Sequence, residues 1–352
     1  MSNYVKGTKY LENGEIDRAY KFLNKALKAG EYRAECLVNL GAIYKGRGML
    51  KKAYAYFCSA MELKPEWEIP YNNAGLVLHN WGREEEACRL FRRAISLKED
   101  YADAHWNLGL SLLKQGYSGR TELLEEGWEK YSWRFRKSGP VKLAYKPSFA
   151  VGTTGRCLVI PEQGIGDYIM FSSGLEDNMV VADIDRFSDI ATVLGIKTGS
   201  IDDEYDTWIP MCSLKPKKVE RVASGGSKVY VCWAGNPEHG NDKHRSLRDS
   251  DFSWLDAESI QFGVKSRIFG EYTGKNWIDT FKALTDCKLL VTVDTSVAHL
   301  AGWMGIPTCC LVPSIDTDFR WGMKRNDNEW YSSVYIARSM QEVKDYVNSF
   351  KG

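Results

Sequence analysis

The chain has 352 residues, 44% hydrophobic and 26% charged, with a net charge of +1. This is enough apolar material for two or three packed domains, which excludes a chain that stays disordered. The balanced charge gives no global field toward a nucleic-acid backbone or an anionic membrane, which excludes a dedicated nucleic-acid binder.

The first residues, MSNYVKGTKYLENGE, are polar and lack the apolar core of a signal peptide. No apolar run approaches membrane-spanning length. The nine cysteines are scattered, form no C-x-x-C pair, and mostly sit in apolar runs where a thiol acts as a small hydrophobe. An odd count without a framework points to a reducing compartment. The expectation is a cytoplasmic, soluble protein with no membrane span.

Glycines 7, 41, 75 and 109 stand 34 residues apart, and Ala19, Ala53 and Ala87 keep the same step. The clearest copy, LVNLGAIYKGRGMLKKAYAYFCSAMELKP, carries Leu40, Gly41, Tyr44, Ala53, Phe57, Ala60 and Pro65. The spacing resembles the tetratricopeptide repeat, a pair of antiparallel helices. Gly41 and Ala53 are small where two helices would cross, Tyr44 and Phe57 fill the surrounding space, and Pro65 ends the second helix. The fourth copy begins well at HWNLGLSLLKQG and then drifts. Its second helix is expected within TELLEEGWEKYSWRFRKSG. Residues 1–138 are read as this helical domain.

After Pro147 the period changes. Short β-like runs follow: RCLVIP, NMVVADI, KVYVCWAG, SIQFGV, CKLLVTVD and TCCLVP, with helical stretches such as FSDIATVLG and NWIDTFKALTD among them. Such alternation predicts parallel, doubly wound sheets. The polar, basic segment KPKKVERVASGGSK reads as a linker, so the α/β part divides into lobes at 150–214 and 228–352.

Ligands of open α/β sheets bind beyond the carboxyl ends of strands, and three such exits are unusual. In LVIPEQGIGDYIMFSS, Gly164 and Gly166 permit a tight turn, and Asp167 is either a helix cap or a general base. In VCWAGNPEHGNDKHRSL, the strand ends at Cys232 and Trp233. Asn236, His239, Asn241, Asp242, Lys243, His244, Arg245 and Ser246 follow. A solvated loop explains many polar residues, but Lys243 and Arg245 also suit an anionic group. His239 and His244 have no second cluster at zinc spacing, so no metal is expected. In VTVDTSVAHLAGWMGIP, a buried strand leads through Asp294, Thr295 and Ser296 directly into a helix. A simple cap explains one hydroxyl. The set together suits phosphate oxygens held at a helix amino end.

Together, PEQGIGDYIMFSS, WAGNPEHGNDKHRS and VDTSVAHLAGWMGIP resemble the motifs of tetratricopeptide-repeat glycosyltransferases related to heptosyltransferases. WEKYSWRFR and TDFRWGMKRNDNEWYSSV also look like that family, and the layout is similar to protein O-GlcNAc transferases. The resemblance implies α plus α/β: helical repeats, then a GT-B-like pair of Rossmann-like lobes, the first one shortened. It implies an inverting, metal-independent enzyme that moves a sugar from a nucleotide-sugar such as a UDP-sugar, with no cofactor. Carried over by position, Thr295 and Ser296 would bind the donor diphosphate, His299 the phosphates or ribose, and Asp294 would orient the loop. Lys243 and Arg245 would neutralise the leaving group. Asp167 would be the base and His239 its rival. Gln163, Gly164, Gly166, Trp233, Asn236, Asn241 and Trp321 would line the site. The acceptor would be a protein or glycan held through the repeats. The alternative is a repeat scaffold that binds a protein and carries a degenerate, nucleotide-binding transferase module.

Overall fold

The 34-residue step folds into helix pairs. The computed structural model describes the whole chain except residues 135–154, 162–163, 204, 215, 222, 224, 236–241, 262–263, 314–316, 323–324 and 352. It divides into two compact units, Met1–Lys142 and Leu143–Gly352, where the sequence suggested three domains.

In the first unit, α1 (Asn3–Glu12) pairs with α2 (Ile16–Lys28), and α3 (Arg33–Gly46) with α4 (Leu50–Leu63). Next, α5 (Glu68–Asn80) pairs with α6 (Glu84–Leu97), and α7 (Ala102–Gly116) with α8 (Leu124–Tyr131). The crossings need bare glycine. A Cβ on Gly41 or Gly75 would lie 2.6 Å from the ring of Phe57 or Phe91, sixteen residues later in each case. The fourth copy departs: a 3-10 turn, Thr121–Leu123, delays α8, and a Cβ on Gly109 would meet the Tyr131 backbone nitrogen at 2.4 Å.

Polar rungs tie successive first helices at a 35-residue step. Asn39 bonds to Tyr4, and Asn107 donates to Asn72 at 2.9 Å. Between α5, α6 and α7, buried Glu84 accepts both His79 (2.7 Å) and Lys114 (2.8 Å). Burial opposes its charge, but His79 and Lys114 hold its pKa below the usual carboxylate range.

The second unit holds two parallel sheets. The first contains β1 (Cys157–Ile160), β2 (Met179–Ala182), β3 (Thr198–Gly199) and β4 (Thr207–Pro210), in the order β3-β2-β1-β4. Helix α9 (Ile165–Ser172) follows β1, and α10 (Asp185–Leu194) follows β2. Among the described residues, the brevity noted in the sequence is four short strands and two α-helices.

The second sheet contains β5 (Lys228–Cys232), β6 (Glu258–Ser259), β9 (Cys287–Val293), β10 (Thr308–Leu311) and β11 (Val334–Ala337). Its order is β11-β10-β9-β5-β6, all parallel. A small antiparallel ribbon, β7 (Lys265–Ser266) with β8 (Gly270–Glu271), stands apart. Helix α11 (Asp242–Arg245) follows β5, α12 (Trp277–Thr285) precedes β9, α13 (Ser296–Met304) follows it, and α14 (Met340–Lys351) closes the unit. The core of this sheet gathers Val231, Trp233, Phe252, Leu289, Val291, Val293 and Val343. The strands at 198–199, 207–210 and 334–337 have no counterpart among the sequence-predicted runs, being short or rich in polar neighbours.

The segment read as a linker is docked. Val219 N donates to Trp330 O (2.7 Å), Ala223 N donates to Gly305 O (3.0 Å), and Arg221 lies over the Trp303 ring. Its backbone found partners that apolar periodicity does not encode. Among the described residues, no helix is long and apolar enough to cross a membrane.

The glycine crossings yield a graded expectation. Gly41→Ala asks a side chain to move, while Gly109→Ala asks backbone to move. Gly109→Ala should cost about 1–3 kcal/mol of stability and Gly41→Ala clearly less, by denaturant unfolding. Equal losses would show that the fourth crossing is no tighter than the second.

Candidate functional site

In each parallel sheet the chain reverses its direction of winding once, the position where open α/β sheets generally bind ligands. In the first sheet the reversal lies between β1 and β4, and in the second between β5 and β9. The three sequence motifs leave from β1, β5 and β9, beside these two reversals.

The β9 exit is closely held. Asp294 and Thr295 are buried, and Ser296 is partly exposed. Thr295 is the N-cap residue of α13, but its hydroxyl does not cap the helix. Its Oγ1 instead meets Thr292 Oγ1 at 3.2 Å and Cys232 Sγ at 4.0 Å. The first turn of α13 thus lacks a side-chain cap, which leaves backbone donors and the positive end of the helix dipole at this edge. Val297, Ala298, Leu300, Ala301 and Gly302 are all buried, and a Cβ on Gly302 would strike the Tyr331 ring at 2.5 Å. Small residues therefore bring this helix down onto its neighbours.

The β1 exit meets it. A Cβ on Gly166 would lie 2.8 Å from His299 Cδ2 and 3.6 Å from Ser296 Oγ, so the first turns of α9 and α13 touch where Gly166 has no side chain. Gly164 and Gly166 were expected to permit a tight turn. Gly164 is instead an extended N-cap and Gly166 is helical, with neither at positive φ. The need is for close approach, not for a special backbone. Asp167 accepts from Gly164 N at 3.1 Å and also pairs with Arg320. This is a capping role together with an ion pair, and both carboxylate oxygens are already engaged.

Arg320 was missed in the sequence. It sits in a 3-10 turn, Phe319–Trp321, and pairs with both Asp167 and Asp318. Its carbonyl accepts from Asn328 (3.2 Å) and Trp330 (3.1 Å), while Arg338 Nη2 donates to the carbonyls of Trp321 and Gly322 (both 3.3 Å). The available signal was a basic residue between two aromatics, directly after an aspartate.

Three assignments need correction. Trp233 does not line a crevice. It is 4% exposed and packs on Phe269 in the sheet core. Trp321 is also buried, with its ring 4.8 Å from that of His299. His299 does not reach toward an open phosphate site. It is enclosed by Trp321, Tyr331 and Gly166, with Nδ1 3.1 Å from the Tyr331 hydroxyl. Burial alone pushes its pKa down to about 3. In all three the apolar ring found a better partner in the core than in solvent.

At the β5 exit, Arg245 lies against Gly235, where a Cβ would be 2.6 Å from Nε. Asp242 holds Arg245 at 3.4 Å and accepts from Ser246 at 2.6 Å. Burial raises the pKa of the Cys232 thiol, and bonds to Thr295 and Thr292 and the charge of Arg245 oppose that rise. Arg245 and Thr295 therefore share the β5–β9 reversal, with Cys232 between them. Gln261, a second residue missed earlier, accepts from Ala234 N at 3.0 Å and from Cys232 at 3.3 Å. Lys243 lies within α11. Gln163, Asn236, His239 and Asn241 lie outside the described residues.

Comparison with known proteins bears on the first unit. The sequence matches the tetratricopeptide repeat over residues 34–66 and the TPR repeat over 81–116. Protein FlbA of Caulobacter vibrioides is 28% identical over 185 residues, covering 49% of this chain and 29% of that protein. The peroxisomal targeting signal receptor of Kluyveromyces lactis is 29% identical over 96 residues, covering 27% of this chain and 17% of the receptor. The crystal structure of MamA shares 25% identity over 38% of this chain and 70% of MamA, with a TM-score of 0.33. The chain spans less than a third of the length of the curated relatives it matches. Its amino-terminal region carries tetratricopeptide repeats.

The enclosed imidazole makes the stability of the second unit pH-dependent. When unfolded, His299 takes a proton near pH 6.5. When folded, it stays neutral down to about pH 3. Between those values the unfolded chain binds the extra proton, so stability falls as pH falls, by about 1.4 kcal/mol per unit. From pH 6.5 to 5 the loss should be about 2 kcal/mol in urea unfolding, and it should flatten in His299→Gln. The same slope in both proteins would assign the acid sensitivity elsewhere.

Proposed function

We propose that this chain is a repeat scaffold that captures an extended polypeptide on its first helices and holds a nucleoside diphosphate on its α/β unit. The observation carrying the first half is the register of Asn39, Asn73 and Asn107. Each stands two residues before a crossing glycine, so all three take the same position in successive repeats. Asn39 and Asn73 are only partly buried. A primary amide donates and accepts at once, which suits a peptide main chain of any sequence. Support also comes from the relatives whose name states a receptor for a targeting signal.

The second half rests on the β5–β9 reversal. An uncapped helix amino end and the guanidinium of Arg245 share that edge, a combination that favours a polyanion over a neutral ligand.

A second reading is an inverting glycosyltransferase that uses a nucleotide-sugar such as a UDP-sugar, without a metal, in a GT-B-like module. It is favoured by Gly166, the residue before Asp167, which touches the first turn of α13. In that reading Asp167 takes the proton of an acceptor hydroxyl, and Arg245 with Lys243 offsets charge on the leaving diphosphate.

The chain should enrich peptides from a random-sequence display library, and Asn73→Ala, whose amide joins no repeats, should weaken those peptides at least tenfold at unchanged melting temperature. Absence of enrichment would remove the scaffold reading. Calorimetry with uridine diphosphate should show binding that weakens about tenfold in Thr295→Ala with Ser296→Ala; unchanged affinity would move the ligand off this helix. A panel of nucleotide-sugars then separates the two readings, since turnover or hydrolysis of any of them supports the transferase.

A further inference from the structure

Between the first two helix pairs, α2 fills a junction on α3 and α4. The hydroxyls of Tyr20 and Tyr44 share a hydrogen bond at 3.0 Å, with their rings edge-on at 5.9 Å, and Tyr44 lies 5.1 Å from Tyr56. Arg47 stands over the Tyr20 ring and pairs with Asp17 at 2.6 Å. The incoming helix thus offers a ring and a carboxylate, and the next pair receives them on two rings and a cation. One 34-residue step before Tyr44 and Tyr56 stand Tyr10 and Phe22, stacked at 5.4 Å. Arg18 lies over Tyr10 as Lys52, one step later, lies over Tyr44. The first pair therefore repeats the receiving side of the junction. Among the described residues no third ring reaches Tyr10 or Phe22, and both stay partly exposed.

The positions around these rings differ from their counterparts in charge. Leu40 and Ile43, 0% and 4% exposed, pack on Ala19, Leu23 and Ala26 of α2, whereas one step earlier stand the exposed Lys6 and Lys9. Leu50 packs on the core of the second pair, whereas its counterpart Ile16 is 38% exposed. Lys6 and Lys25 lie over the Phe22 ring, and among the described residues neither they nor Lys9 has a carboxylate partner. Solubility at the end of a stack accounts for the lysines. It does not account for Ile16, or for a ring pair left half open beneath the charges. We propose that this face of α1 and α2 docks an acidic amphipathic helix of a partner protein. Its aromatic side chain rests on Tyr10 and Phe22, as Tyr20 does on Tyr44 and Tyr56, and its carboxylates meet Lys6, Lys9 and Lys25. Two copies of this basic face would repel each other, which excludes self-association through it. The surface is separate from the amide of Asn73 and does not depend on peptide capture there.

The probe is a fluorescent peptide of residues 15–29, the helix that fills the next junction, with Arg18, Lys21, Lys25 and Lys28 each replaced by glutamate. Anisotropy with the chain should show saturable binding, weakened about fivefold when the peptide also carries Tyr20→Ala. The peptide of unaltered, basic sequence should not bind. In the protein, Lys6→Glu with Lys9→Glu should weaken the acidic peptide about fivefold at unchanged melting temperature, since both side chains are exposed. The same variant should gain binding to the basic peptide, a gain that cannot arise from loss of fold. Asn73→Ala should leave the acidic peptide's affinity unchanged. No binding of the acidic peptide, equal binding after the charge reversal, or equal binding of its Tyr20→Ala form would each overturn the proposal. Weakening by Asn73→Ala would place the peptide on the amide row and overturn it as well. Co-sedimentation with phosphatidylserine vesicles, without peptide binding, would assign the lysines to a membrane surface and equally overturn the helix.

Discussion

The α/β unit depends on one close approach. The helix after β1 reaches the helix after β9 because residue 166 has no side chain to keep them apart. That contact sets the first turns of two helices side by side, each at the exit of a parallel sheet where the winding reverses. Around it the chain is built from groups that tolerate little movement: the enclosed imidazole of His299, the Tyr331 hydroxyl that holds it, and the Arg320–Asp167 pair. The turn carrying Arg320 is in turn fixed by Asn328, Trp330 and Arg338 through its carbonyls. A rigid surround of this kind keeps charged side chains in place without a ligand to order them.

The repeats use the same device with a different filling. Bare glycine lets two helices close, and a ring or a backbone fills the gap: Phe57, Phe91, and finally the Tyr131 main chain. The change in the last copy follows from the extra turn before α8, which shifts the second helix along the first. Between copies, polar rungs replace some of the apolar contact. They cost nothing net while both ends are bonded, and they fix the register of one first helix on the next. The rung position opposite Asn73 is Val38, a side chain that cannot bond, so in this copy the amide is not used to join repeats.

Buried charge is handled in two ways. Glu84 keeps its charge because His79 and Lys114 both meet it inside the repeats. His299 gives its charge up, since burial offers no counter-ion and the neutral ring still satisfies Tyr331. The difference is one of partners available within reach, not of depth.

Sequence by itself determined the repeat and much of the α/β alternation. A 34-residue step, Gly against Phe, and apolar runs such as KLLVTV are local patterns, and local patterns are what helices and buried strands require. It also marked the three strand exits, because glycine, hydroxyl and charge stand out after an apolar run. Only the tertiary structure decided what those residues do. Trp233, Trp321 and His299 had the right type for a ligand site but were taken by the core. Arg320 lies 153 positions from Asp167, so no spacing rule joins them. The docked segment around Val219 looked like a linker because its partners are backbone groups of a distant loop and a helix end. Periodicity reports which face of an element is buried. It carries no information on which distant group will meet that face, and in the α/β unit that meeting sets the site.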